Sequence, residues 1–92
     1  VHYTGWLYDE AAADHHGAQV DSSRTSGGPM TFHLGAGEVV KGWDKGIVGM
    51  KVGGQRELVV PAALGYGRRG VKGVVPPDAA LIFEIELLAA KR

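Results

Sequence analysis

The clearest structural signal in the chain is the stretch ALIFEIELL, residues 80–88. Its side chains alternate between two faces, one formed by Leu81, Phe83, Ile85 and Leu87 and the other by Ile82, Glu84, Glu86 and Leu88. Because successive side chains of a β-strand point to opposite faces, this alternation predicts a strand with one face in the core. The chain is therefore expected to build its core on a β-sheet.

Further strands are predicted wherever the same alternation recurs. They cover residues 1–7, 20–23, 30–34 and 55–60. In the third of these segments, Met30, Phe32 and Leu34 are expected to face inward. Residues 8–19 are polar and rich in alanine, which predicts a long loop or a short helical excursion between two strands.

One short helix is predicted over Val39–Val48, because Val40, Trp43 and Ile47 recur at helical spacing. Each glycine inside this segment weakens a helix by up to about 1 kcal/mol relative to alanine, so packing must hold it. A single helical turn is predicted over 62–66, and an irregular loop over the glycine- and proline-rich residues 67–77. The predicted fold class is α+β, an antiparallel β-sheet with one face covered by one short helix.

Composition bounds the function. The 92 residues suit one small domain, and ten basic and ten acidic residues give a formal net charge of zero. That balance argues against a protein that binds nucleic acid or an anionic membrane. The sequence has no cysteine, which excludes disulfides, thiolate zinc sites and cysteine nucleophiles within it. Glycine is about twice as frequent as usual, and most glycines lie between Gly35 and Gly73.

Polar motifs offer little catalytic chemistry. Asp14, His15 and His16 have side chains that can bind a metal, but no third ligand follows at a defined spacing. A solvated loop is therefore the favoured interpretation, and a metal site the distant alternative. Arg68 and Arg69 are interpreted in the same way as a solvated loop edge, because their surroundings are not basic.

The remaining unusual feature is a set of aromatic and aliphatic residues on different elements and beside loops. Its members are Tyr3, Phe32, Val39, Val40, Trp43, Tyr66, Val74, Val75 and Phe83. These side chains either form part of an ordinary core or line a concave apolar pocket for a small ligand.

Several motifs, in colinear order along the whole chain, resemble the macrolide-binding (FKBP-type) peptidyl-prolyl cis-trans isomerases. They are VHYTG (1–5), VDSSR (20–24), LG (34–35), EVVKGWD (38–44), MKVGG (50–54), GYG (65–67), VPP (75–77) and the strand 80–88. The segments with Gly53-Gly54 and 64–67 look more like bacterial members. The resemblance implies one isomerase domain over residues 1–92, an antiparallel sheet wrapped around one short helix, with the family's first strand missing before Val1.

The resemblance also implies roles for individual residues. Asp21 is the lone carboxylate facing the twisted amide, and Trp43 is the floor under the substrate proline. The Tyr66 hydroxyl and the Val40 backbone N–H hydrogen-bond carbonyls of the ligand. The other expected lining residues are Tyr3, Val20, Met30, Phe32, Val39 and Phe83 in the walls, with Val74 and Val75 on a flap. Asp21, Tyr66 and Phe83 are the expected catalytic residues, and no metal or cofactor is needed.

Four positions depart from the family pattern. Val20 stands where the family usually has Phe, Met30 replaces a usual aromatic residue, and Ser26 occupies a position that often holds an arginine. Val71 occupies a flap position that is often His in the family. These departures are expected to change substrate preference, turnover and macrolide affinity more than the fold.

The leading hypothesis is an isomerase that accelerates Xaa-Pro isomerisation in proline-containing peptides and unfolded proteins during folding. The alternative is a non-catalytic peptide-binding or chaperone module that uses the same pocket, and Val20 is the feature that favours it. Macrolides such as tacrolimus and rapamycin are expected ligands, whereas nucleic acids and membranes are not. A monomer is expected unless the missing strand leaves a sheet edge that forces pairing. No motif identifies the compartment, with the cytoplasm slightly favoured over the periplasm.

Overall fold

The computed structural model describes residues 1–25 and 27–90. Four strands form one antiparallel sheet in the order β2-β1-β4-β3, so that β1 and β4 are central. The elements, in chain order, are β1 (His2–Tyr8), β2 (His16–Ser22), α1 (Lys41–Gly46), β3 (Gln55–Val60), a 3₁₀ turn (Ala62–Leu64) and β4 (Leu81–Glu86). The predicted α+β class is confirmed. Among the described residues, no helix is both long and apolar enough to span a bilayer.

Strand β4 contributes buried side chains to the core, as its alternating pattern predicts. Leu81, Phe83 and Ile85 belong to the main cluster of buried side chains together with residues of the helix, β3 and the flap. Ile82, on the opposite face, is also fully buried, and its cross-strand partner is Trp6 of β1. Since directly opposed residues share a face of the sheet, the outer face has a small apolar cover of its own.

Strand β2 is longer than predicted. It begins at His16 rather than at Val20, and Tyr8 pairs with His16 across β1 and β2. The prediction of a long loop or helical excursion over residues 8–19 is therefore wrong in its bounds. Two register irregularities between β1 and β2 accommodate the polar stretch within the ladder, and such bulges leave no simple alternation in the sequence.

The strand predicted over residues 30–34 is absent. Met30 makes two backbone hydrogen bonds of 2.8 Å with Val1, but the ladder does not continue beyond them. Met30 and Phe32 do pack against the core, whereas Leu34 is 47% exposed and does not face inward. Alternation alone predicted a strand here, but a strand needs a partner along its whole length.

The helix is shorter than the predicted Val39–Val48. It begins at Lys41 and ends at Gly46, with Trp43 buried inside it and Ile47 buried directly after it. A Cβ atom at Gly42 would lie 2.7 Å from Val60 Cγ1 on β3, closer than any real contact. Glycine therefore lets the helix pack closely on the sheet, and this contact offsets its low helix propensity.

The remaining predictions agree with the structure. β3 occupies 55–60 and ends before Pro61, and the 3₁₀ turn lies within the predicted 62–66. Residues 67–77 are irregular apart from one bridge between Val71 and Val75.

Candidate functional site

A cavity of about 540 Å³ opens on the core side of the sheet, within the usual range for small-molecule sites. Strands β1, β2 and β4, the helix and two loops contribute to its walls. Of the residues predicted for the site, all but Phe32 line it: Tyr3, Val20, Asp21, Met30, Val39, Val40, Trp43, Tyr66, Val74, Val75 and Phe83. The fold thus brings to one place side chains that are far apart in sequence.

The floor of the cavity is the indole ring of Trp43, which is 4% exposed. The rings of Tyr3 and Phe83 meet it edge to face, with centroids 4.9 Å and 5.3 Å away and interplanar angles of 71° and 88°. This is the arrangement that aromatic quadrupoles prefer. The indole Nε1 is buried without a hydrogen-bond partner among the described residues.

Phe32 is the one residue predicted for the walls that does not line this cavity, and its role towards a ligand stays a prediction. Its ring centroid lies 5.8 Å from that of Trp43, and it packs against the core. Phe32 therefore supports the ring that forms the floor.

Phe83 reaches the floor because its cross-strand neighbour has no side chain. Gly5 of β1 is the register partner of Phe83, and a Cβ atom there would lie 2.6 Å from the Cε1 atom of the ring. Any larger residue at position 5 would displace the ring. The VHYTG motif contains Gly5 but does not reveal this requirement, because the requirement depends on a contact between distant segments.

A fixed carboxylate stands at the rim. The Tyr3 hydroxyl donates to Asp21 Oδ2 at 2.7 Å, and the Ser22 backbone N–H donates to Oδ1 at 2.8 Å. Burial, and then the hydrogen bond to Asp21, raises the pKa of Tyr3 to about 12. Burial followed by the charge of Asp21 also raises the pKa of Tyr66. Both phenols therefore stay protonated at neutral pH, and each can donate a hydrogen bond.

The wall before the helix is held by Asp44. Its two carboxylate oxygens accept the N–H groups of Gly35 at 2.9 Å and Gly37 at 3.2 Å. Both glycines have positive φ angles, which only glycine adopts at no cost. The backbone N–H of Val40 donates no hydrogen bond within the described residues and so remains free for a ligand carbonyl.

The cavity is also lined by Glu38 and Val71, which were not among the residues predicted for its walls. Glu38 accepts a hydrogen bond from the His33 backbone N–H, which is the main cause of the lowered pKa of Glu38. The only available signals were its position next to Val39 and the position of Val71 in the predicted flap.

The flap is a tight turn closed by two backbone hydrogen bonds of 2.8 Å between Val71 and Val75. Val74 is 46% exposed at its tip, whereas Val75 is 4% exposed and belongs to the core. Both residues line the cavity, Val74 from the exposed tip of the flap and Val75 from the core. Val20 and Met30 both line the cavity, and the departure at Ser26 lies outside the described residues.

Comparison with known proteins identifies the family. Residues 1–88 match the FKBP-type peptidyl-prolyl cis-trans isomerase family. An FK506-binding protein of Neisseria meningitidis serogroup C is 53% identical over 88 residues, which are 96% of this chain and 74% of the relative. The peptidyl-prolyl cis-trans isomerase FPR2 of Saccharomyces cerevisiae is 50% identical over 91 residues, 99% of this chain and 63% of the relative.

A solved structure agrees with these relatives. The crystal structure of AtFKBP13 superposes with a TM-score of 0.82 at 40% identity, covering 98% of this chain and 75% of the other. The fold, the cavity and the relatives coincide over nearly the whole chain. The chain therefore belongs to the FKBP-type family and is a peptidyl-prolyl cis-trans isomerase.

Proposed function

We propose that the cavity above Trp43 is the place where this chain isomerises Xaa-Pro bonds, with Asp21, Tyr66 and Phe83 as its catalytic residues. The observation that carries the proposal is the buried indole floor with one hydrogen-bonded carboxylate beside it. A proline ring is an apolar disc that fits such a floor. The same proposal treats residues 1–92 as one isomerase domain.

The reaction explains why an apolar cavity suffices. Prolyl isomerisation rotates an amide through a barrier of about 18–20 kcal/mol, and no covalent bond is made or broken. At the perpendicular transition state the amide has lost its resonance and much of its dipole. A site that excludes water therefore binds the twisted form better than the planar form, and this difference accelerates the reaction. Each 1.36 kcal/mol of preference gives about tenfold in rate.

Three polar groups orient the peptide in this proposal. The free Val40 N–H and the protonated Tyr66 hydroxyl hold carbonyls on the two sides of the proline. The Asp21 carboxylate is held in position by Tyr3 and faces the twisted amide, where its fixed charge interacts with the carbonyl dipole that remains. Phe83 closes the wall against water.

The proposed ligands follow from the same chemistry. The domain acts on unfolded proteins and proline-containing peptides and thus assists protein folding. Macrolides of the tacrolimus and rapamycin type occupy the same cavity, in keeping with the name of the Neisseria relative, an FK506-binding protein. The proposal requires no nucleic acid, membrane or second copy of the chain.

The decisive experiment measures the cis-to-trans rate of short Xaa-Pro peptides with purified protein, with and without rapamycin. We expect a rate enhancement that rapamycin abolishes in a titration with one binding site. An unchanged rate together with no rapamycin binding would overturn the proposal.

A second candidate function is a non-catalytic binding module. Val20 lines the cavity with a side chain smaller than an aromatic ring, which leaves one wall more open. Binding of rapamycin or unfolded clients without rate enhancement would favour this alternative. In that case, Val20→Phe should introduce a measurable rate.

A further inference from the structure

On the outer face of the sheet, opposite the isomerase cavity, three side chains converge. One ligand atom from each of His16, Glu57 and Glu84 lies within 4.8 Å of the others. They come from β2, β3 and β4, so the cluster extends across all but one strand of the sheet. The fold places these three residues together although they are far apart in the sequence.

The two glutamates need a positive partner. Glu57 and Glu84 are directly opposed on neighbouring antiparallel strands, where like charges destabilise a sheet. Among residues 1–25 and 27–90, no lysine or arginine forms an ion pair with either carboxylate. Of the two nearby arginines, Arg24 pairs with Glu86 and Arg56 donates to the backbone carbonyls of Gly46 and Val48.

The imidazole of His16 is held in place for a role beyond packing. Its ring stacks on Trp6 with centroids 3.7 Å apart and an interplanar angle of 10°, and the side chain is 13% exposed. Asp14 Oδ2 lies 3.3 Å from Nδ1, and Glu57 Oε2 lies 3.3 Å from Nε2. A neutral imidazole carries one N–H and can donate to only one of these two carboxylates, whereas an imidazolium or a bound cation satisfies both contacts.

The spacing suits a metal ion. With bonds of about 2.0–2.1 Å, two ligand atoms of a tetrahedral zinc site lie about 3.3 Å apart, which is the distance between His16 Nε2 and Glu57 Oε2. Asp14 on the far nitrogen completes the carboxylate–histidine–metal arrangement that orients many metal-binding imidazoles. Both glutamates line a groove of about 250 Å³ on the protein surface, and His16 lies outside its lining.

We propose that His16 Nε2, Glu57 and Glu84 bind one divalent transition-metal ion of the zinc type on the outer face of the sheet, with Asp14 orienting the imidazole. The ion neutralises the opposed glutamates and links β2, β3 and β4. Its role is to stabilise the sheet, and the isomerase cavity on the other face does not depend on it.

The first test titrates EDTA-treated protein with Zn²⁺ by calorimetry and follows thermal unfolding. We expect one ion per chain and a higher melting temperature that EDTA reverses. The fluorescence of Trp6 should also change, because the Trp6 ring stacks on the metal-binding His16. Mg²⁺ and Ca²⁺ should bind far more weakly, since they prefer oxygen ligands. Failure of Zn²⁺ to bind would overturn the proposal, as would an equal effect of all three ions.

Variants assign the site. His16→Gln and Glu57→Gln should each weaken Zn²⁺ binding at least tenfold, and Asp14→Asn should weaken it about 10–100-fold. Glu57→Gln also removes the repulsion with Glu84, so its metal-free form should be no less stable than the wild type, and loss of binding cannot be attributed to unfolding.

The matched control is His15→Asn. His15 is the adjacent histidine, but its ring stacks on Tyr8, and asparagine tolerates its positive φ angle. This variant should bind Zn²⁺ as the wild type does. Loss of binding in His15→Asn, or retention in His16→Gln, would refute the assignment. The isomerase rate should be the same with Zn²⁺ and with EDTA, which separates this proposal from the one for the cavity.

Discussion

At the scale of single residues, Asp21 and Phe83 illustrate two kinds of functional position. Asp21 is exposed and its carboxylate accepts two hydrogen bonds, whereas Phe83 is 4% exposed and part of the core. Removal of the Phe83 ring would cost about 3–5 kcal/mol of stability, so lost activity there could not be separated from unfolding. Asp21 therefore allows the cleaner test of catalysis.

We expect Asp21→Ala to lower kcat/KM about tenfold or more while changing the free energy of unfolding by about 1 kcal/mol or less. The substitution removes the carboxylate and leaves the apolar walls intact. Peptide isomerisation and urea unfolding, measured on the same preparation, check both values. Glu10→Ala, which removes an exposed carboxylate from the turn after β1, is the control and should keep full activity. Equal activities of the two variants would contradict the role of Asp21.

The raised pKa of Tyr3 predicts how stability changes in alkali. Because the folded-state pKa of about 12 lies above the ordinary value of 10, folding favours the protonated phenol. This contribution is complete below pH 10 and is lost as the pH rises through about 12. We expect the free energy of unfolding to fall over this range, and to fall less steeply in Tyr3→Phe. Tyr8→Phe is the control, and it should follow the wild type; identical slopes in all three proteins would contradict the expectation.

At the scale of elements, the sequence predicted best what depends on local pattern. β3 and β4 were predictable because their alternation is regular, and β3 ends directly before Pro61. The start of β2 and the missing strand over 30–34 were not, because both depend on which partner strand is available. The glycines of the helix lower its helix propensity, and the sequence does not show that they allow the helix to pack closely on β3.

The contact between Gly42 and β3 predicts a change in stability opposite in sign to the change that helix propensity predicts. Alanine at position 42 should favour the helix by about 1 kcal/mol, yet its Cβ would meet both methyl groups of Val60, which is 1% exposed and stiff at χ1. We expect Gly42→Ala to destabilise the domain by about 1–3 kcal/mol in urea unfolding. Gly46→Ala is the matched comparison, because it would meet only the flexible end of Leu58. Gly42→Ala should cost more, and the reverse order would contradict this account of the packing.

At the scale of the whole molecule, the site and the core are one structure. Trp43, Val75 and Phe83 belong both to the main buried cluster and to the lining of the cavity. Family resemblance predicted most lining residues, but not the need for Gly5, the support by Asp44 or the place of Glu38. Those features depend on contacts between segments, which no single stretch of sequence contains.

A ligand in the cavity should stabilise the entire domain, because the cavity exists only in the folded state. A ligand that binds only the folded state adds about 2.7 kcal/mol at 100 times its Kd, which raises the melting temperature of a domain this size by on the order of 10 °C. We expect rapamycin to produce such a rise in scanning calorimetry, increasing with the logarithm of its concentration. Glu10→Ala should show the same rise as the wild type, and Trp43→Leu should lose both basal stability and the response to ligand. Inhibition of isomerisation by rapamycin without any rise in melting temperature would contradict binding of rapamycin in the folded cavity.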